Sequence, residues 1–283
     1  MVSSIPFGET FSAWAAGERS VRGLALIGSR ERAAGDAVWK ADAESDWDFY
    51  VITSQPRLFA TAAWTRGLAI PPPLAYVSRR TADSRAPKVN ALFEGAEVDL
   101  VVIPAHLLTL GKLMVSAGLH RREGWLRRNL QALAEVIRPG WRFLKGGSEW
   151  DPFFRRIVAE VPDSRLSDAD AVRLADGLAC DYVWIRRKLV RGELRAAQRM
   201  LHREVAETNF KLLHELKLRR GERSFEKGRR IERIATQEEL AQTTVSAPCD
   251  ASALGAALDG SVRSCRDLMR QLIGAAWEWP RLD

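Results

Sequence analysis

Apolar residues gather in short runs over the first part of this chain and in long, helically spaced stripes over the rest. Leu24-Ala25-Leu26-Ile27 is a continuous apolar run that stops at Gly28, the pattern of a short buried strand. Residues 48–53 and 98–103 read the same way, the first reached through Ser45-Asp46-Trp47 and the second left through Pro104. Residues 9–18 predict a short helix with Phe11, Trp14 and Ala15 on one side. Ala91-Leu92-Phe93 followed by Glu94-Gly95 predicts a hairpin arm leading into the third strand. Residues 67–77 contain Pro71-Pro72-Pro73 and predict a long loop with room for a further extended piece. Up to about residue 110 the pattern is that of a small sheet packed on helices.

Beyond that point strands nearly vanish. Residues 168–191 place Leu174, Leu178, Asp181, Ile185 and Leu189 on one stripe at steps of three and four. Residues 193–218 repeat the pattern through Leu194, Ala197, Leu201, Val205, Thr208 and Leu212. Residues 252–275 do so through Leu254, Leu258, Val262, Cys265, Met269 and Leu272. Three amphipathic helices joined by polar connectors predict a bundle. The join between the halves is expected within 110–150, where Pro139-Gly140 and Gly146-Gly147 punctuate the chain, giving domains 1–140 and 141–283.

With 283 residues there is ample chain for a core, and 46% hydrophobic against 28% charged residues is the balance of a globular protein. The longest apolar stretch, residues 100–114, is interrupted by Pro104, His106 and Lys112, short of the roughly 20 residues a membrane span needs. Met1 to Phe7 lacks a basic then apolar leader pattern. Cys180, Cys249 and Cys265 are far apart and in no metal-ligand spacing, so reduced, buried thiols in a cytoplasmic protein are expected. The formal charge of +7 suits an anionic partner such as a nucleotide. The helical arginines and lysines lie mostly opposite the apolar stripes, as an ordinary solvated face would, with polyanion binding the lesser reading.

Three aspartates and one turn carry the candidate chemistry. Alternation along a strand points Asp46 and Asp48 the same way, with Trp47 opposite. A third aspartate, Asp99, stands inside the apolar run Val98-Asp99-Leu100-Val101-Val102, where an unpaired carboxylate is costly. Carboxylates brought together repel unless cations hold them, and magnesium takes hard oxygen ligands that bridge to phosphate. Gly28 lets the backbone turn close to a phosphate, Ser29 adds a hydroxyl, and Arg30 follows. Asp99 can serve as a metal ligand, as the base for an acceptor hydroxyl, or as both. Alone, each motif is common on protein surfaces and in ordinary turns; their order and spacing together give them weight. Rival chemistries lack their residues: the P-loop lysine, Gly-x-Gly-x-x-Gly, Gly-x-Ser-x-Gly and zinc spacing among His106, His120, His202 and His214 are all missing.

Gly28-Ser29, Asp46-x-Asp48 and Asp99 resemble the signature of the polymerase β-type nucleotidyltransferase superfamily. Within it, the chain is most similar to the aminoglycoside 6-adenylyltransferases (streptomycin adenylyltransferases). The segment from Leu92 to Pro104 resembles their third-carboxylate strand, and Ala179 to Leu194 resembles a helix pair in their C-terminal half. The resemblance implies an α+β fold: a small mixed nucleotidyltransferase sheet with flanking helices, then a C-terminal helical bundle. It implies that Asp46 and Asp48 bind magnesium, that Asp99 is the third carboxylate and base, and that Gly28, Ser29 and Arg30 contact ATP. Asp181 falls at an acidic position of the family and would face a small hydroxylated acceptor, as expected of a cytoplasmic antibiotic-resistance enzyme. The overall basic charge is unlike what a polycationic acceptor favours, so Glu204 and Glu207 enter as further local acids. Modification of a protein or RNA, and a non-catalytic nucleotide-binding partner protein, are the alternative readings.

Overall fold

The structure is a computed structural model that describes residues 7–32, 38, 41–42, 44–81, 86–122, 124–225 and 228–282. Met1 to Pro6, where the leader pattern was sought, lie outside them. The chain divides into two compact units, Met1–Ser164 and Arg165–Asp283. Among the described residues no helix is long and apolar enough to cross a membrane.

The first unit is a six-stranded mixed sheet. Its strands are β1 (Val21–Ile27), β2 (Trp47–Thr53), β3 (Ala75–Arg80), β4 (Pro87–Phe93), β5 (Ala96–Pro104) and β6 (Trp141–Lys145), in the order β3-β4-β5-β2-β1-β6. Only β2 and β5 run parallel; the other neighbours are antiparallel. Helix α1 (Phe7–Gly17) covers one face, where Phe7, Phe11 and Ala15 meet Leu24, Leu26, Phe49 and Val51. The opposite face takes α2 (Ala105–Ser116), α3 (Trp125–Ile137) and α4 (Gly147–Glu160), where Leu108, Ile137, Phe153 and Phe154 meet Ala25, Ile27, Tyr50 and Ile52. Coverage on both sides is why β1 and β2 are apolar without alternation.

The expected break after residue 140 is not where the units part. Residues 141–145 form β6, which pairs with β1, and α4 then buries Trp150, Phe153, Phe154 and Ile157 against the sheet. The 67–77 stretch is loop until β3, which begins only at Ala75 and is an exposed sheet edge.

Among the described residues, the second unit has only helices as regular elements: α5 (Asp168–Val190), α6 (Leu194–Met200), α7 (Glu207–Arg219), α8 (Gln237–Thr243) and α9 (Ala251–Ile273). The stripe expected as one helix over 193–218 is α6 and α7 joined by a wider π-type segment, Leu201–Ala206. Leu178 and Ile185 of α5, Leu201 and Val205, Leu212 of α7, and Leu258, Cys265 and Met269 of α9 share one core. Ser167 and Asp170 form a reciprocal capping box that starts α5. All three cysteines are free; burial pushes the Cys265 thiol up to about 12, whereas Cys180, expected to be buried, is exposed.

Candidate active site

The sheet register brings the predicted carboxylates together. Parallel pairing sets Asp48 of β2 directly beside Asp99 of β5. Asp46, just before β2, shares the face of Asp48, and one carboxylate oxygen from each of the three residues lies within 4.8 Å of the others. All three are half-buried. Hard oxygens at this spacing are a donor set suited to a divalent ion.

The turn after β1 closes one side of the cluster, because Ile27 at the end of β1 pairs with Asp48 at the start of β2. Gly28 has φ +76°, and a Cβ at this position would lie 2.3 Å from Asp48 Oδ2, so glycine is required on both counts. Ser29 is the second residue of a short 3-10 turn, Gly28–Glu31, and its hydroxyl is buried with no hydrogen-bond partner. A buried hydroxyl without a partner, one residue beyond the glycine that abuts Asp48, suits a polar ligand.

The same turn is braced from behind by β6. Gly140 (φ +149°) allows the chain to pass Glu31, since a Cβ there would meet the Glu31 carbonyl oxygen at 2.1 Å. Arg142 then grips the Glu31 carboxylate with Nε at 3.1 Å and Nη2 at 2.8 Å.

Arg30 turns towards the protein. Its Nε donates to the Asp46 carbonyl at 3.0 Å and its Nη2 to the Ser45 carbonyl, while the guanidinium lies 4.0 Å from the centre of the Trp47 ring. Arg30 thereby fixes the backbone that carries Asp46 and Asp48. Burial lowers its pKa against the pull of Asp46, Asp42 and Asp48, yet a guanidinium stays charged. Tyr50, two residues beyond Asp48, has its hydroxyl pKa pushed up by burial and then by the Asp48 charge, so it remains protonated.

Two residues of this site were missed in the sequence. Lys88 Nζ stands 2.6 Å from Asp99 Oδ2, and the Asn90 side-chain amide donates to Asp99 Oδ1. Both belong to β4, whose register sets Asn90 opposite Asp99. The signal was present: counting back from the Glu94-Gly95 turn, a hairpin opposes residue 90 to residue 99, and Lys88 alternates onto the same face. A carboxylate offers about four lone-pair sites, so Asp99 keeps acceptor capacity beside these two donors.

Asp181 lies in the second unit, half-buried on α5. Burial, then the nearby Glu204 charge, raises its pKa above the ordinary carboxylate value. Glu207 begins α7 and pairs with Lys211 at 3.5 Å.

No protein-family model matches the chain. No curated protein matches it either. Among solved structures, the chain is similar to an aminoglycoside 6-adenyltransferase from Bacillus subtilis, at 11% identity and a TM-score of 0.42, over 99% of this chain and 94% of that one. It is also similar to a nucleotidyltransferase-like protein from Exiguobacterium sibiricum 255-15, at 11% identity and a TM-score of 0.35, over 93% and 74%. At such values neither neighbour carries the functional reading, which rests on the carboxylates and their surroundings.

Proposed function

We propose that the chain is a metal-dependent nucleotidyltransferase. More particularly, we read it as an adenylyltransferase that moves AMP from ATP to a hydroxyl of a small acceptor, with an aminoglycoside such as streptomycin as the acceptor class. The observation that carries this is the meeting of Asp46, Asp48 and Asp99 within 4.8 Å, against the tight turn at Gly28.

Asp46 and Asp48 would hold magnesium, with Asp99 completing the set. Bound there, magnesium supplies positive charge against the triphosphate, which phosphoryl-type transfers need more than a reactive side chain. Gly28 lets the chain come close to the phosphates, and Ser29 offers them a hydroxyl. Arg30 keeps the Asp46 and Asp48 carboxylates in place through the Ser45 and Asp46 carbonyls. Asp99, held by Lys88 and Asn90, takes the acceptor proton as the hydroxyl oxygen attacks the α-phosphorus and pyrophosphate leaves. In this reading the first unit is the nucleotidyltransferase domain and the second, carrying the acid pair Asp181 and Glu204, supplies the acceptor side. A cytoplasmic, resistance-type activity follows from the same resemblance.

The test is a screen of hydroxylated acceptors, beginning with streptomycin, for release of pyrophosphate from ATP and magnesium. Acceptor-dependent release is expected. Absence of release with every acceptor, under conditions where ATP binds, contradicts the transferase reading.

A further inference from the structure

The proposed transfer chemistry makes no use of a basic, aromatic groove on the second unit. Two hollows of about 520 and 510 Å³ adjoin there, sharing Arg266 and Trp279. Arg263, Arg266 and Arg270 of α9 are all exposed and spaced three and four residues apart, so they form one row. Their rise along the helix is about 4.5 and then 6 Å. Arg270 pairs with Asp267 at 3.2 Å. Among the described residues, Arg263 and Arg266 have no carboxylate partner.

Aromatic rings stand beside this row. Trp279 meets Tyr182 edge to face at 6.0 Å and 90°, and Trp277 likewise at 6.2 Å and 86°. All three rings are half-buried against the helical core, and Trp279 lines both hollows. Trp277 is fixed by its Nε1 donating to Asp176 at 2.9 Å, and Arg186 lies 6.0 Å from the Tyr182 ring centre.

We propose that this groove binds single-stranded RNA, with Arg263, Arg266 and Arg270 on successive phosphates and Trp279 stacking a base. Guanidinium groups in a row favour a polyanion, and aromatic rings among them favour one that carries flat bases. Two hollows in series suit a strand better than a single nucleotide. The groove also holds two carboxylates, Asp259 and Glu278, which repel phosphate but accept hydrogen bonds from a ribose 2′-hydroxyl. That points to RNA over DNA.

The test is fluorescence anisotropy with a labelled single-stranded RNA dodecamer and the full chain, at roughly 50 mM salt. Wild-type protein is expected to bind with a Kd in the micromolar range, about 10⁻⁶ to 10⁻⁴ M. The triple variant Arg263→Ala, Arg266→Ala, Arg270→Ala should weaken binding at least about ten-fold and reduce the salt slope by about 2. Trp279→Leu should weaken it by about ten-fold. The double variant Arg195→Ala, Arg199→Ala removes two exposed charges from α6, outside the groove, and should change Kd by less than about two-fold. Circular dichroism of each variant shows that the fold is retained. No binding by wild type, an equal loss in the α6 variant, or equal affinity for DNA of the same sequence would each overturn the proposal.

Discussion

Gly28→Ala is the perturbation whose consequences follow most directly from the geometry. Gly28 sits at φ +76°, a left-handed conformation that costs a residue with a Cβ about 1 kcal/mol. The added methyl would also lie 2.3 Å from Asp48 Oδ2 and 3.0 Å from its Cγ. A comfortable carbon–oxygen contact is about 3.3 Å, so the carboxylate must retreat by about 1 Å. Together these amount to about 2 kcal/mol, or a fall in melting temperature of about 4–8 °C for a unit of this size.

Function should suffer more than stability. A displacement of about 1 Å in a group that positions reacting atoms costs on the order of 100-fold in rate. Differential scanning calorimetry gives the first quantity, and steady-state release of pyrophosphate from ATP gives the second. A variant that melts lower yet turns over as fast as wild type would refute the claim that Gly28 exists to admit the Asp48 carboxylate.

Lys88→Met removes the cation that stands 2.6 Å from Asp99. Without magnesium the variant should be less stable by about 1 kcal/mol, because three carboxylates then share less positive charge. Magnesium should raise its melting temperature by more than it raises that of wild type; an equal or smaller rise speaks against a shared cation site. Asp181→Asn tests the raised pKa of Asp181. Burial and Glu204 disfavour its charged form, so the native state is penalised above the ordinary aspartate pKa and the penalty fades as pH falls through the raised value. The substitution should therefore stabilise the protein at neutral pH and lose that benefit in acid. Equal melting shifts at pH 4 and pH 7 would contradict this.

Strands β1, β2 and β5 were legible because each is a compact apolar run with a glycine, aspartate or proline at its limit. Strand β6 was not: Trp141-Arg142-Phe143-Leu144-Lys145 is five residues long and lies between helices, and it becomes a strand only by pairing with β1. Its omission also displaced the expected domain break, since β6 and α4 together complete the first unit. Strand β3 is an exposed edge with little apolar signal. At the site, Asp99 announced itself as an acid within an apolar run, and Asp46 and Asp48 as an alternating pair at the entry to another. Lys88 and Asn90 have nothing unusual around them in sequence; their part comes from hairpin register, which places them against Asp99. Arg30 holds the Asp46 backbone, a contact the sequence did not announce because it depends on a loop closing back onto the turn.

The account depends on the three carboxylates acting as one divalent-ion site for a triphosphate. Isothermal titration of ATP into wild type and into Asp48→Asn, each with and without magnesium, tests that most directly. Tight ATP binding by wild type only when magnesium is present, lost in Asp48→Asn while its melting profile is kept, is the predicted result. Binding indifferent to magnesium, or unchanged by the substitution, would contradict it.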